Sequence, residues 1–333
     1  MSLSKLKDTD FLYISTRLRS MENHLLTRER MERMLEARTD EDAAKVLSEC
    51  GYKGLDKPGM DALSHALSDA RAETFSELAA MSPNADIVDV FRIKYDYHNM
   101  KALTKCARSG KSPDSMLIDA GRWPAADMKR AVEHGETGFL SDTARKALEA
   151  AGEILSATGD PQKSDFSLDK ACYGEMLETA KRSGSSFLLG YVQLQIDGAN
   201  LKSAVRSIRM KKDLDFLKGA LLPGGAVSPE SILSCVMGGG NLSATFTGAL
   251  SEAAATGDTV KKGGRQTEFE RQIDNALNAY LQKSRLVSFG DSVLVAYVAA
   301  KENEITAARI IMSGRLSGVP TESIRERLRD AYV

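Results

Sequence analysis

The chain carries the same set of three polar residues twice, about a hundred residues apart. Each copy has an Asp, then an Asn three residues later, then a Lys two residues after the Asn. The residues are Asp96, Asn99 and Lys101 in "YDYHNMKAL", and Asp197, Asn200 and Lys202 in "LQIDGANLKSAV". On a helix the Asp and the Asn share one face, whereas the Lys lies roughly 140° away from the Asp. The three side chains do not converge on one small ligand, so we predict buried bonding that fixes helix register over a binding role.

A weaker third copy lies in "KENEITAARI", where Glu304 takes the Asp place, Arg309 takes the Lys place and Ala307 replaces the Asn. A short amphipathic helix pattern precedes each copy at nearly the same separation, and a further one begins at Pro320. Two independent markers in one order indicate homologous repeats. We predict three units, 1–113, 114–222 and 223–333, with the C-terminal helix from about residue 320 packing with the first unit.

Helical periodicity dominates the chain, and no convincing alternation of apolar and polar residues predicts strands. Good helix formers are plentiful, while aromatic residues are 6% and only 8 residues are Pro. The predicted fold class is therefore all-α. The net charge of −1 argues against a dominant nucleic-acid or anionic-membrane surface but leaves room for a local basic patch.

Capping residues predict where several helices begin. Thr27 and Thr39 stand before amphipathic runs, and Ser228 with Pro229 is an N-cap followed by a first-turn proline. Ser82 with Pro83 gives the same signal, which predicts a long helix from there to about Ser109.

"SGKSP" at 109–113 contains the Gly-Lys-Ser end of a phosphate-binding loop, at residues 110–112. The complete motif requires glycine at position 105, which is Lys105, and a preceding strand where a helix is predicted. Gly110 is better explained as the end of that helix. Because no His or Cys pair has metal-ligand spacing and no nucleophile motif occurs, we expect no catalytic residue, cofactor or metal.

Basic residues cluster where the marked helices end. The predicted partner contacts among them are Arg108, Lys111, Arg206, Arg209, Lys211, Arg309 and Arg315. The simpler interpretation is that they complement the negative ends of helix dipoles. The alternative is three equivalent basic corners that face an acidic partner.

Five blocks in order resemble one known family. They are "FLYISTRLRSMENHLLTRERMERMLEA", "VFRIKYDYHNMKALTKCARSG", "YVQLQIDGANLKSAVRSIRM", "LDFLKGALLPGG" and "VSFGDSVLVAYVAAKENEITAARIIMSGRLSGVP". Together they resemble the C subunit of archaeal and bacterial V-type (A/V-type) ATPases, a family similar to the eukaryotic d subunit. Ala307 departs from the Asn usual in its block.

The resemblance implies a funnel-shaped, all-helical protein of three related domains with a pseudo-threefold arrangement and no active site. Its partners would be the membrane rotor ring and the central shaft, between which it would transmit torque at the cytoplasmic face. No nucleic acid, small-molecule substrate or membrane span of its own is expected. Two other classes stay open: a free-standing helical-repeat scaffold and a nucleotide-binding enzyme that uses the 110–112 loop.

Overall fold

The computed structural model describes residues 6–110 and 112–333, and that part of the chain contains helices and no strand. The predicted all-α fold class is confirmed. The α-helices in chain order are α1 (Leu12–Glu22), α2 (Arg28–Glu36), α3 (Asp40–Glu49), α4 (Met60–Met81), α5 (Ala85–Ser109), α6 (Ala125–His134), α7 (Asp142–Thr158), α8 (Pro161–Ser183), α9 (Ser186–Arg209), α10 (Leu214–Ala220), α11 (Pro229–Met237), α12 (Leu242–Thr245), α13 (Ser251–Val260), α14 (Gln266–Gln282), α15 (Asp291–Leu316) and α16 (Thr321–Arg325). Short 3-10 turns lie at Asp8–Phe11, Asp114–Met116, Gly248–Leu250 and Lys283–Leu286. None of the described helices is both long enough and apolar enough to cross a bilayer.

The chain folds into two compact units, and the first four residues of α5 belong to one while the rest belong to the other. We call Met1–Val88 with Thr247–Val333 the terminal unit, and Asp89–Phe246 the middle unit. Each unit holds chain from more than one predicted repeat. The three-repeat division at 113/114 and 222/223 stays a prediction.

Helix α15 is the central element of the terminal unit and packs against α1, α2, α3, α4, α14 and α16. Every residue from Ser292 to Ala300 is buried, because this half of the helix is apolar almost all round. Further along, Ile311 and Met312 join the core formed by α2 and α3. The C-terminal helix α16 contacts α2, where Arg325 pairs with Glu32 at 2.9 Å.

The middle unit is organised around α8 and α9, which pack on each other, and α7 lies against α8. Helix α5 is bonded to α8 through the Tyr97 hydroxyl, which donates to Glu175 at 2.9 Å. The rings of Phe91 on α5 and Tyr191 on α9 approach to 5.9 Å between centroids. These contacts fix the position of α5, which carries the first copy of the repeated polar set.

Most predicted helix starts are confirmed. Thr27, Thr39 and Ser228 each accept a backbone N–H from the third residue of the helix that follows. The predicted start at Ser82 is wrong: Ser82 caps the C-terminus of α4, and the side chain of Asn84 accepts the Asp86 N–H at 3.0 Å at the start of α5. The Ser82 hydroxyl bonds within the turn instead, where it accepts the Asn84 N–H at 3.2 Å, and the helix begins two residues later than the Ser-Pro pair predicts.

The long helix ends at Ser109 as predicted, and Gly110 closes it. The Gly110 N–H donates to the Cys106 carbonyl at 2.9 Å, and its φ of 67° is the left-handed conformation that glycine adopts readily. A phosphate-binding loop follows a strand, whereas this segment follows α5. The helix-terminus interpretation is confirmed.

Candidate functional site

Asp96 is completely buried on α5 and is bonded to the chain just before α6. One carboxylate oxygen accepts the backbone N–H of Arg122 at 2.9 Å and that of Trp123 at 3.4 Å. The other oxygen accepts from the Arg122 guanidinium at 2.7 Å. Burial raises the pKa of Asp96 to about 6, against the opposing effect of Arg122 and the two N–H donors.

Arg122 also connects this carboxylate to a second one, Glu175 on α8. Its guanidinium donates to Glu175 at 2.8 Å, and Glu175 accepts further bonds from the hydroxyls of Tyr97 and Ser141. Burial alone raises the pKa of Glu175, but Arg122 and the two hydroxyls outweigh burial and hold that pKa below its ordinary value. The result is a buried ionic network joining α5, α8 and the chain before α6.

Asn99, one turn after Asp96, bonds through its side chain to the backbone of the connection between α5 and α6. Its amide nitrogen donates to the Ile118 carbonyl at 2.8 Å, and its amide oxygen accepts the Ile118 N–H at 2.9 Å. Asn200 on α9 repeats this arrangement with Leu222, with both distances at 2.8 Å. An Asn side chain presents both a donor and an acceptor, so it can satisfy both groups of one peptide residue.

Asp197 repeats the arrangement of Asp96 with a different neighbour. Its two oxygens accept the backbone N–H groups of Ala226 at 3.0 Å and Val227 at 3.1 Å, directly before the Ser228 cap of α11. Burial raises the pKa of Asp197, and the two N–H donors oppose that rise. The position of Arg122 is taken by Ala226, so this carboxylate is held by peptide groups without a guanidinium.

Two glycines allow these carboxylates to approach the chain. A Cβ atom built on Gly121 would lie 2.1 Å from an oxygen of Asp96, and one built on Gly225 would lie 2.1 Å from an oxygen of Asp197. No real Cβ contact is that short. Each glycine directly precedes the first N–H donor, and sequence reasoning missed both. The common signal was a Gly a few residues before the proline that marks the next short helix, as in "AGRWP" and "GGAVSP".

Glu304 bonds to the start of the chain. It lies 4% exposed on α15 and accepts the Leu26 N–H at 2.6 Å, directly before the Thr27 cap of α2. Its other oxygen accepts from the Tyr52 hydroxyl at 2.7 Å and from the Lys301 ammonium. Burial, and then the charge of Glu304, raise the pKa of Tyr52 well above its ordinary value.

The third copy differs from the other two at two further places. Leu25 stands where the others have glycine, and a glutamate is one methylene longer than an aspartate, so its carboxylate reaches the N–H from further away. Ala307 replaces the Asn and lines a cavity of about 240 Å³ together with Leu26, Asn278 and Glu304. At position 307 there is therefore no asparagine side chain to bond to the chain before α2.

The basic members of the polar sets are less buried than the Asp and Asn residues of the first two copies. Lys101 pairs with Asp169 on α8, Lys202 on α9 is half-buried, and Arg309 on α15 is exposed. In the first copy Asp96 and Asn99 therefore bind the connection between α5 and α6, whereas Lys101 binds α8. Among the described residues, no cluster of His, Cys, Asp and Glu could hold a metal ion.

The predicted partner contacts divide into two groups. Arg108 donates to the Leu155 carbonyl in the last turn of α7. Arg315 donates to the Leu35 carbonyl in the last turn of α2 and to the carbonyls of Ala37 and Thr39 just after it, and it pairs with Asp40 at 3.1 Å. Arg206, Arg209, Lys211 and Arg309 are exposed. Lys111 lies outside the described residues.

These bonds place buried carboxylates and amides against peptide groups. A profile of the family described as "ATP synthase (C/AC39) subunit" matches residues 14–327. The chain belongs to that family. It is thus an accessory subunit of an ATPase complex and carries no catalytic site of that complex.

Relatives named as C subunits come from both bacteria and archaea. The V-type sodium ATPase C subunit of Enterococcus hirae is 24% identical over 95% of this chain and 97% of the relative. The A-type ATP synthase C subunit of Haloferax volcanii is 27% identical over 95% and 96%. The V-type ATP synthase C subunit of Thermus thermophilus is 22% identical over 96% and 98%.

The first prediction concerns Asn200, whose side chain bonds to both peptide groups of Leu222. Replacing Asn200 with Leu leaves a buried N–H and a buried carbonyl without partners, so we expect the free energy of unfolding to fall by about 1–3 kcal/mol. Chemical denaturation of the purified chain measures this. The exposed Asn303→Leu on α15 is the control and should change stability by less than about 0.5 kcal/mol. Equal stability of wild type and Asn200→Leu would contradict a structural role.

The second prediction concerns the glycine opposite Asp197. Gly225→Ala forces the carboxylate away from its two N–H donors, and we expect a loss of about 1–3 kcal/mol in unfolding free energy. Gly138→Ala serves as the control, because a Cβ there meets nothing within 4 Å. If Gly225→Ala were as stable as Gly138→Ala, the chain around residue 225 could move away from Asp197 without loss of unfolding free energy, and the prediction would be wrong.

The third prediction separates capping from partner binding at Arg315. Its side chain is only 13% exposed, so Arg315→Ala should lower the thermal midpoint of the isolated chain by several degrees through the loss of its bonds to three carbonyls and to Asp40. Arg206→Ala is the matched exposed arginine and should leave the midpoint unchanged. Scanning calorimetry measures the thermal midpoint of both variants. Equal midpoints would contradict the prediction that Arg315 stabilises the fold and Arg206 does not.

Proposed function

We propose that this chain is the non-catalytic central-stalk subunit of a rotary V-type ATPase and couples the rotating shaft to the membrane rotor ring. In this role it lies peripherally at the cytoplasmic face and serves ion transport driven by ATP, or ATP synthesis. Membership of the C/AC39 family over almost the whole chain is the observation that carries the proposal. The names of the relatives support it.

We further propose that the body consists of three homologous units with pseudo-threefold symmetry, 1–113, 114–222 and 223–333. The bonding order of the markers supports this division. Asp96 bonds to the chain before α6, Asp197 to the chain before α11, and Glu304 to the chain before α2. Each marked helix thus bonds to the next predicted unit, and the third bonds back to the first. Buried bonds of this kind resist shear, which a part that transmits torque requires.

The candidate partner contacts are the exposed basic residues Arg206, Arg209, Lys211 and Arg309. Arg108 and Arg315 stay candidates from the sequence as well; the guanidinium of Arg108 binds the Leu155 carbonyl, and that of Arg315 binds carbonyls at the end of α2. Long exposed cations are suited to acidic surfaces on a ring or a shaft, and several acting together give a salt-sensitive contact.

Affinity purification tests the assignment. The tagged chain is expressed in the organism from which it comes and is purified from a detergent extract of that organism's membranes. The proteins that copurify are identified by mass spectrometry. We expect membrane ring subunits and shaft subunits of the ATPase. Recovery of soluble proteins alone would favour a free-standing scaffold and overturn the proposal.

The fourth prediction concerns the four exposed basic residues. Changing Arg206, Arg209, Lys211 and Arg309 together to Gln should weaken association with purified ring or shaft roughly 5- to 100-fold at low salt, since exposed pairs contribute about 0–1 kcal/mol each. The difference from wild type should shrink at high salt because surface charges are screened.

Four exposed lysines elsewhere provide the charge-matched control for that variant: Lys53, Lys146, Lys163 and Lys262. Their joint change to Gln removes the same charge and should leave both affinities within about threefold of wild type. If the arginine-containing variant and the lysine variant lost the same affinity, net charge would account for the loss, and a specific contact by the four basic residues would be contradicted.

A further inference from the structure

The connection between α14 and α15 exposes large apolar side chains. Leu286 is 91% exposed, and Val287 and Phe289 are 40% and 36% exposed. This connection runs from residue 283 to residue 290. The corresponding connections before α5 and α9 are residues 82–84 and 184–185, which read "SPN" and "GS" and carry no large apolar side chain. The third copy thus has a longer connection with an apolar tip.

This apolar loop is held in place by bonds to its backbone. The guanidinium of Arg19 on α1 donates to the carbonyls of Ser284 at 2.6 Å and Val287 at 2.8 Å. The Gly290 N–H donates to the Ser15 hydroxyl at 3.2 Å. The loop therefore keeps its shape while Leu286 remains exposed, and binding through this tip would cost little ordering entropy.

The same loop is positively charged. Lys283 and Arg285 are both exposed and flank the buried Ser284. One guanidinium nitrogen of Arg285 donates to the Tyr332 carbonyl at 3.4 Å, and the Lys283 ammonium lies 4.9 Å from the centre of the Tyr280 ring. The sequence from residue 275 to residue 290 contains no Asp or Glu. Asp8 lies near Gly290, and Glu22 is paired with Arg19 at 2.7 Å, so neither is part of the tip. The tip is a compact surface of three apolar side chains and two cations.

We propose that the loop 283–289 docks on the head-group region of an anionic phospholipid bilayer. Leu286, Val287 and Phe289 would enter the boundary between head groups and acyl chains, and Lys283 and Arg285 would contact lipid phosphates. The head-group region offers phosphates to the two cations and acyl chains to the three apolar side chains. An apolar protein surface would have to bury the two cations, and an acidic protein surface would set charges against Leu286, Val287 and Phe289. The inference rests on the proposed function and deepens it by naming a lipid contact for a protein set against the membrane.

Vesicle flotation of the purified full-length chain tests the lipid contact without any other ATPase component. The probes are phosphatidylcholine vesicles with and without phosphatidylglycerol. We expect binding to the anionic vesicles that weakens at high salt. Leu286→Ser should lower that binding about tenfold at any salt concentration, since it removes one inserted leucine. Lys283→Gln with Arg285→Gln should lower it about fivefold per charge, at low salt only.

Met237→Ser is the matched control, because Met237 is 69% exposed in the middle unit. It should bind vesicles like wild type, and thermal unfolding checks that every variant is folded. Wild type that binds neither vesicle, or an equal loss in Met237→Ser, would overturn the inference. Binding of Leu286→Ser at wild-type strength to vesicles, with lost binding to purified ring protein, would also overturn it in favour of a protein contact. Flotation involves no other part of the ATPase, so its failure is distinct from failure of the membrane-extract purification.

Discussion

The bond on which the architecture depends joins a buried carboxylate on a long helix to the peptide N–H groups directly before a short helix. A carboxylate out of water is costly unless donors surround it, and a peptide N–H in a buried turn is costly unless it has an acceptor. Asp96, Asp197 and Glu304 each satisfy both needs with one contact. Because the acceptor is fixed on a long helix, the start of the short helix is fixed as well.

Several other choices in the chain follow from that contact. The close approach requires Gly121 and Gly225, since a Cβ at either position would overlap the carboxylate. It also brings the preceding chain within reach of Asn99 and Asn200, each of which pairs with both groups of one peptide residue. Where the acid is the longer Glu304, the loop carries Leu25 and the asparagine is absent, so these features change together.

Sequence spacing identified the markers but not what they bind. Asp96 and Asn99 lie on one helix, so their pairing is visible as a periodicity. Apart from the Arg122 guanidinium, their partners are peptide groups of Arg122, Trp123 and Ile118. Every residue except proline offers the same N–H, so a peptide partner leaves no signature in the sequence. The same limit applies to Arg108 and Arg315: basic residues at a helix end were recognised, but the carbonyls they bind belong to helices distant in sequence. Gly121 and Gly225 were the part of the site that the sequence could have revealed, because the close approach requires a residue without a Cβ atom and glycine is the residue without one.

The third copy differs for a reason of chain connectivity. Asp96 binds Arg122, 26 residues further along the sequence, and Asp197 binds Val227, 30 residues further along, so the effective concentration of each partner segment is high. Glu304 must instead bind Leu26, which precedes it by 278 positions. Two side-chain donors, Tyr52 and Lys301, supplement the single N–H of Leu26. The ammonium of Lys301 also lies 4.6 Å from the centre of the Tyr52 ring, so the three side chains support one another. Glu304 thus combines one peptide N–H with two side-chain donors, whereas Asp96 combines two peptide N–H groups with one guanidinium and Asp197 accepts from two peptide N–H groups.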